Sequence, residues 1–235
     1  MTTTTAATTT LSPARTDGSS VEPGASFDNG ARGRFNAWFF TAFDRYINYL
    51  TRSRKQAAFA GIEVGHVVEL GAGVGANFDY VPTGSRLVAV EPNRAMHDGL
   101  RSRAADRGVE LVLLGSGAED VPLADGSVDD IVCSLVLCTV EDQDAVLAEV
   151  KRLLRPGGRF RFVEHVAAPR WSPRRLLQAT LRRPWRWVYE GCELCRDTAT
   201  AVEQAGFSSV EIDRGRFRRS LFVPVNTAIS GVAVR

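Results

Sequence analysis

Residues 67–77 read Val-Val-Glu-Leu-Gly-Ala-Gly-Val-Gly-Ala-Asn, an apolar run that leads into three glycines at alternate positions. The apolar run predicts a buried strand. The glycines allow the main chain to turn sharply and to approach a ligand with no side chain in the way. A loop of this kind after a first strand is typical of proteins that bind nucleotide-like ligands. The stretch therefore predicts an α/β fold with a binding loop at the carboxyl end of its first strand.

Short apolar runs alternate with longer amphipathic segments over the rest of the chain. This alternation is typical of right-handed βαβ units and predicts a Rossmann-like, seven-stranded, mostly parallel sheet with flanking helices. A Pro-Gly-Gly turn stops the second helix of this region. The predicted strands cover 66–70, 86–90, 110–114, 130–136, 159–163, 210–213 and 229–234, and the predicted helices cover 93–107, 143–154 and 197–205.

The N-terminal part of the chain divides into two segments of different composition. Residues 1–30 are rich in Thr, Ala, Ser and Gly, and we expect a disordered tail because so few apolar groups cannot offset the entropy of ordering. From Phe35 onward, aromatic and apolar residues recur at helical spacing and predict a helical cap over about 33–60, on one domain spanning 31–235. The cap either only packs on the domain or also covers a substrate pocket, for which Trp38 and Phe39 are candidate lining residues.

Composition excludes several classes of protein. The chain has 235 residues, 44% hydrophobic and 24% charged, with a net charge of +2, far from the excess of cations in a dedicated nucleic-acid binder. Four cysteines in a chain of this size do not form a disulfide scaffold. No stretch approaches the roughly 20 apolar residues of a membrane-spanning helix, and residues 1–30 lack the apolar core of a signal peptide. We expect a soluble, cytoplasmic protein with no nucleic-acid partner and no transmembrane anchor.

The glycine loop alone leaves two ligand classes open. Gly71, Gly73 and Ala76 also satisfy the dinucleotide fingerprint, and Glu91 lies where an acid binds ribose hydroxyls in either class. Glu69, two residues before the first glycine, favours S-adenosylmethionine over NAD. Its carboxylate would repel a diphosphate, whereas S-adenosylmethionine has no phosphate and carries an ammonium that an acid helps to hold.

With the turn Leu153-Leu154-Arg155-Pro156-Gly157-Gly158 added, the chain resembles a class I S-adenosylmethionine-dependent methyltransferase. The resemblance implies that Gly71 and Gly73 approach the methionine portion, that Glu91 binds the ribose, and that Ala118 and Glu119 flank the adenine. Gly117 departs from the pattern, because members often carry Asp there to accept from the adenine amino group. Glu119 or main chain would then take that contact. The cofactor-binding residues implied in this way are Glu69, Gly71, Ala72, Gly73, Gly75, Asn77, Glu91, Pro92, Gly117, Ala118, Glu119, Ser134 and Leu135.

A narrower resemblance extends from residue 67 to the C-terminus. Residues 75–78, 124–129, 132–140, 164–168 and 191–194 are similar to their counterparts in the methyltransferase-like 7 family, the alkyl thiol S-methyltransferases of animals. Animal members carry a hydrophobic membrane anchor at the N-terminus, where this chain has its Thr-rich segment. The resemblance implies methylation of a small-molecule thiol. A phospholipid or small-molecule N- or O-methyltransferase and a non-catalytic, cofactor-binding interaction protein are the alternatives.

Two residues are candidates for the acceptor side. His165 follows the strand predicted at 159–163, so it should lie at the carboxyl edge of the sheet with the cofactor. There it either accepts or orients the thiol proton as a catalytic residue or fixes a loop by hydrogen bonds. A dedicated base is optional, because a thiol with a pKa of about 8.5 is already partly ionised at neutral pH. Cys138, after the fourth strand, is a further pocket candidate, either as a buried apolar-like thiol or in catalysis.

Two other features remain open to structural interpretations. Cys192 and Cys195 form a lone C-x-x-C pair, which we interpret as structural thiols because no second pair or nearby His accompanies them, and we predict no metal. Residues 170–187 carry six arginines interleaved with tryptophans. They are either a solvated helix face or a surface attracted to an anionic substrate or to the periphery of a membrane.

Overall fold

The computed structural model describes residues 30–235. The predicted tail, residues 1–30, therefore lies outside the described residues except for Gly30. The helices are α1 (Ala31–Ala58), α2 (His97–Arg107), α3 (Gln143–Leu153), α4 (Pro173–Val188) and α5 (Thr198–Gln204). The strands are β1 (His66–Leu70), β2 (Arg86–Val90), β3 (Glu110–Leu114), β4 (Val128–Ser134), β5 (Leu154–His165), β6 (Ser209–Arg216) and β7 (Thr227–Val234), and short 3-10 turns cover Phe78–Tyr80, Arg94–Met96 and Val223–Val225.

The strands form one seven-stranded sheet in the order β3-β2-β1-β4-β5-β7-β6. The first five strands are parallel, and β7 runs antiparallel to both β5 and β6. The predicted mostly parallel sheet is thus confirmed. The strand order reverses between β1 and β4, and the crevice outside the carboxyl ends of such strands is where open α/β sheets bind ligands.

Apolar side chains are buried on both faces of the sheet, as a parallel sheet requires. On one face Val68 and Leu70 pack in a cluster with Phe160. On the other face Val67 and Leu87 pack in a second cluster that includes residues of α1 and α2. Because the C-terminal part of α1 belongs to this second cluster, the helix is fixed to the sheet close to the glycine loop.

The end of β4 corrects the predicted strand 130–136. The strand covers Val128–Ser134, because Leu135 has a φ of 60° and leaves the extended conformation. The next two amides, of Val136 and Leu137, donate to Glu164 Oε1 at 2.8 and 3.1 Å instead of continuing the ladder. The chain therefore turns two residues earlier than its apolar run suggests.

The strand predicted at 159–163 is also longer, running over Leu154–His165. Leu154 pairs with Val128, and the next pair joins Arg159 to Asp130, so the Pro-Gly-Gly turn lies inside the strand as an irregularity rather than before it. His165 is consequently the last residue of β5 and not a residue beyond it.

Smaller differences affect the remaining elements. The helix predicted at 93–107 starts as the 3-10 turn Arg94–Met96, where Asn93 caps the chain by accepting from the Ala95 amide at 3.0 Å. The helix predicted at 143–154 ends at Leu153, and the one predicted at 197–205 covers Thr198–Gln204. The two last strands extend beyond 210–213 and 229–234 because β6 and β7 pair over their whole length.

Helices α1 and α4 lie together above the carboxyl edge of the sheet. Asn36 Nδ2 donates to the carbonyl of Val188 at 2.9 Å, and the ring of Phe39 packs edge-on against Tyr189 with centroids 5.3 Å apart. The two helices thereby enclose space over the ends of β1, β4 and β5. Over residues 30–235, no helix combines the length and the apolar character needed to cross a membrane.

Candidate active site

A cavity of about 710 Å³ opens at the carboxyl edge of the sheet, a volume typical of small-molecule sites. It is bounded by the glycine loop after β1, the ends of β2, β4 and β5, and helices α1 and α4. The predicted site residues that line it are Gly71, Ala72, Gly73, Asn77, Glu91, Pro92, Gly117, Ala118, Glu119, Ser134, Leu135, Phe39, Cys138 and His165. Glu69, Gly75 and Trp38 do not line it.

Trp38 was wrongly predicted as a pocket residue. Its side chain is 61% exposed and contacts the ring of Phe35 on the outside of α1. Successive helical residues are rotated by about 100°, so the face that carries Phe39 and Phe40 into the cavity directs Trp38 away from it. Hydrophobic periodicity predicts which face of a helix is buried. Here several consecutive aromatic residues made the limits of that face impossible to define from the sequence.

The glycine loop leaves no room for side chains at its first position. Gly71 has a φ of 59°, and a Cβ built there would lie 2.4 Å from Cγ2 of Val136. Gly73 is also left-handed, and its amide donates to Glu91 Oε2 at 2.7 Å. At Gly75 a Cβ would be 3.1 Å from Arg103 Cδ. Gly75 thus allows the turn to pack tightly without itself facing the cavity.

Glu91 directly follows β2 and connects the glycine loop to the segment after β2. Its carboxylate accepts from the amide of Gly73 at 2.7 Å and from the amide of Asn93 at 2.8 Å. Burial raises the pKa of Glu91 to about 7, against the opposing effect of these two hydrogen bonds. Each oxygen keeps a further lone pair, so the side chain both shapes the loop and offers acceptors to the cavity.

Two buried ionisable groups, a carboxyl group and an amine, lie near the α1 end of the cavity. Glu69 lies behind the glycine loop, where Asn77 Nδ2 donates to its Oε1 at 2.8 Å, and burial raises its pKa to about 8. Its Oε2 has no hydrogen-bond partner among the described residues. Lys55 of α1 lines the cavity and donates to Asn48 Oδ1 at 3.1 Å, and burial lowers its pKa to about 8. Sequence reasoning missed Lys55, because nothing in a helical pattern marks a lysine that faces inward.

The position of Glu119 accounts for the unusual Gly117. A Cβ built at Gly117 would lie 2.7 Å from Glu119 Oε2. The Glu119 carboxylate therefore occupies the space into which an aspartate at position 117 would extend. Both residues line the cavity, and the departure from the usual pattern leaves an acid at the same place.

The opposite end of the cavity holds a cluster of two thiols and an imidazole. His165 Nε2 lies 3.1 Å from Cys192 Sγ, and Cys192 Sγ lies 3.9 Å from Cys138 Sγ. Trp185 Nε1 donates to Cys192 Sγ at 3.3 Å. The expectation that no histidine accompanies the C-x-x-C pair was wrong for Cys192, because residues 165 and 192 are remote in sequence and meet only in the fold. Cys192 is a lining residue that sequence reasoning did not select.

Comparisons with known proteins identify the family. A family model for a methyltransferase domain matches residues 68–162. The human thiol S-methyltransferase TMT1A is 36% identical over 185 residues, which cover 74% of this chain and 76% of the relative. The mouse thiol S-methyltransferase TMT1B is 40% identical over 174 residues, which cover 72% and 70%. The chain belongs to the thiol S-methyltransferase family.

The fold agrees with this assignment. An S-adenosylmethionine-dependent methyltransferase from Thermotoga maritima superposes with a TM-score of 0.61 at 19% identity, covering 86% of this chain and 99% of that one. The protein is a class I S-adenosylmethionine-dependent methyltransferase, as the sequence predicted. Its cavity fits the cofactor, because Gly71 leaves no room for a side chain, Glu91 offers carboxyl acceptors and the buried Lys55 offers an ammonium at the cavity wall.

Proposed function

We propose that the protein methylates the sulfur of a small-molecule thiol by direct in-line transfer from S-adenosylmethionine, releasing S-adenosylhomocysteine. The observation that carries this proposal is the 36% identity to a thiol S-methyltransferase over most of both chains. The cavity supports it, since the glycine loop lines one end and Cys138, His165 and Cys192 line the other, which we call the acceptor end.

The bound donor supplies a methyl group activated on a sulfonium. We propose that the loop amides around Gly71 and Gly73 lie along its methionine portion and that Glu91 accepts from the ribose hydroxyls. Lys55 binds the methionine carboxylate, and Glu69, supported by Asn77, favours the ammonium. At the other end of the donor, Ala118 and Glu119 contact the adenine, with Pro92 and Gly117 beside them. Ser134 and Leu135 place the end of β4 next to the reacting methyl.

The acceptor end aligns the nucleophile. Phe39, Cys138 and His165 form part of its wall, and we propose that they hold the thiol in line with the donor methyl. Holding two reactants at near-attack distance supplies much of the acceleration of such a displacement. We propose that His165 acts on the acceptor sulfur as a catalytic residue, from the wall of the cavity that it shares with Cys138 and Cys192.

A thiol should be methylated at least about tenfold faster than its amine or hydroxyl analogue at pH 7. The reason is that a few per cent of a thiol is already nucleophilic thiolate, whereas an alkyl amine is almost wholly protonated and an alcohol is not ionised. Formation of S-adenosylhomocysteine is measured with three acceptors that differ only in this atom. A faster amine would favour the phospholipid or small-amine alternative, and no turnover with any acceptor would favour a non-catalytic binding protein.

Donor binding at pH 7 should release protons from two buried acids, mostly from Glu69 and partly from Glu91, whose pKa is about 7. Glu69, with a pKa of about 8, is mostly protonated in the empty site, although Lys55 and Arg103 partly oppose the effect of burial and Glu91 adds to it. The donor ammonium favours the carboxylate, so Glu69 loses its proton on binding. The measurement is calorimetric titration in buffers of different ionisation enthalpy.

The matched comparison for this result is pH 9, where Glu69 and Glu91 are already largely ionised and have little proton left to release. Glu69→Gln should remove most of the release at pH 7. A binding enthalpy that does not depend on the buffer at pH 7 would show that Glu69 does not respond to the donor.

We propose a cytoplasmic location. The four cysteines, Cys133, Cys138, Cys192 and Cys195, are all free thiols, which suits a reducing compartment. The surface of α4 exposes Trp187, and the preceding turn exposes Trp171, beside the arginines of this segment. Peripheral contact of this surface with a membrane stays a prediction.

A further inference from the structure

We propose that Cys138, His165 and Cys192 form a zinc site at the acceptor end of the cavity, with the fourth coordination position left for the acceptor sulfur. Two cysteines and one histidine with an open position form one of the ligand sets of catalytic zinc sites. All three residues are buried, and all three line the cavity that holds the donor residues. The ion would therefore face the reacting centre.

The distances between the ligand atoms suit a tetrahedral ion. Zinc bonds of about 2.3 Å to sulfur and about 2.0–2.1 Å to nitrogen place neighbouring tetrahedral ligands roughly 3.5–3.8 Å apart. The two sulfurs are 3.9 Å apart, and His165 Nε2 is 3.1 Å from Cys192 Sγ. All three ligand atoms lie within 4.8 Å of one another. Small rotations of the side chains would centre an ion between them.

The fold holds the three ligands together through main-chain contacts. His165 ends β5 and is paired with Ala228 of β7. Cys138 lies in the turn after β4, and its carbonyl accepts from the amide of Glu193 at 2.7 Å. That bond ties the Cys138 turn to the segment carrying Cys192. The site is consequently preformed by three separate elements.

The surroundings of the ligands indicate how firmly an ion would be held. The indole of Trp185 donates to Cys192 Sγ, a hydrogen bond that a thiolate accepts better than a thiol. His165 Nδ1 has no hydrogen-bond partner within the described part of the chain, whereas metal-bound histidines usually donate their second nitrogen. We therefore expect an exchangeable ion that a chelator removes, rather than a permanent structural one.

The role of the ion in catalysis rests on the proposed thiol methylation, but its binding does not. An acceptor thiol that takes the fourth position loses its proton to solvent and becomes a zinc-bound thiolate. One lone pair of that sulfur forms the new carbon–sulfur bond while the bond from the methyl carbon to the donor sulfonium breaks. The products are a thioether, which leaves the ion, and S-adenosylhomocysteine.

The test uses the full chain, stripped with chelator and titrated with cobalt(II) as a spectroscopic probe for zinc. We expect one ion per chain, thiolate-to-cobalt charge-transfer absorption and the visible bands of a tetrahedral site. Cys138→Ser, Cys192→Ser and His165→Ala should each weaken binding by more than about tenfold. Cys195→Ser is the matched control, since it removes the other cysteine of the C-x-x-C pair and should leave both spectrum and affinity unchanged.

Thiol titration of the stripped wild-type protein first verifies that its cysteines are reduced, and circular dichroism checks the fold of each variant. No cobalt spectrum from the reduced wild-type protein overturns the proposal, and so does a spectrum that depends on Cys195 but not on Cys138. If the metal-free enzyme methylates thiols at the full rate, the ion has no catalytic role and thiol methylation stands. If the ion binds through these ligands and no thiol is methylated, the zinc site stands and the proposed function fails.

Discussion

Glu91→Ala should weaken the binding of S-adenosylmethionine by at least about 100-fold. The substitution removes two acceptors from the ribose, and hydrogen bonds to a charged group are worth about 1.5–3 kcal/mol each, where 1.4 kcal/mol corresponds to a factor of ten. It also removes the carboxylate that accepts from the amides of Gly73 and Asn93, so the glycine loop loses its support. The measurement is calorimetric titration with the donor and with S-adenosylhomocysteine.

Glu110→Ala provides the control for this substitution. Glu110 is also an acid of the parallel sheet, but it is exposed at the start of β3, at the opposite edge from the cavity, and pairs with the half-buried Arg86. Its substitution also removes one carboxyl group from the sheet and should leave donor affinity unchanged. The wild-type protein should show no binding of NAD. Unchanged affinity in Glu91→Ala, or measurable NAD binding, would contradict the assignment of the glycine loop.

The central sheet could be predicted because its first three parallel strands are short, largely apolar runs. Three strands, β1, β2 and β3, have the predicted bounds. The donor-binding residues could be predicted as well. The glycines and Glu91 are neighbours in space because they follow adjacent parallel strands. A pattern of this kind needs no knowledge of the rest of the fold.

The other parts of the fold and of the site depend on contacts between residues that lie far apart in the sequence. β4 ends early because Glu164, on the neighbouring strand, binds the amides that would have continued it. Cys192 meets His165 across 27 residues, and a lone C-x-x-C pair gave no indication of that contact. Lys55 of α1 could not be predicted either. A helix of 28 residues has many inward-facing positions, and apolar periodicity does not distinguish a lysine among them.

Lys55→Met should abolish the preference of the protein for S-adenosylmethionine over its decarboxylated analogue. Lys55 is buried, with 1% of its surface exposed, and lines the cavity beside the glycine loop. An ammonium so far removed from water is costly unless an anion neutralises it, and the carboxylate of the donor would do so. Loss of one partner of a buried pair costs about 3 kcal/mol or more, which corresponds to more than 100-fold in affinity.

The decisive comparison is a cycle of two proteins and two donors. Wild type should bind S-adenosylmethionine more than 100-fold more tightly than the decarboxylated donor, whereas Lys55→Met should bind both with similar, weak affinity. Lys151→Met is the matched control, since Lys151 is the other lysine of the chain and its ammonium binds the carbonyl of Ala205 away from the cavity.

The melting temperature of Lys55→Met should not fall, because the substitution removes a buried amine whose pKa burial already lowers to about 8. If Lys55→Met still discriminated between the donors as strongly as wild type, another group would have to bind the carboxylate, and α1 would cover the donor without recognising it.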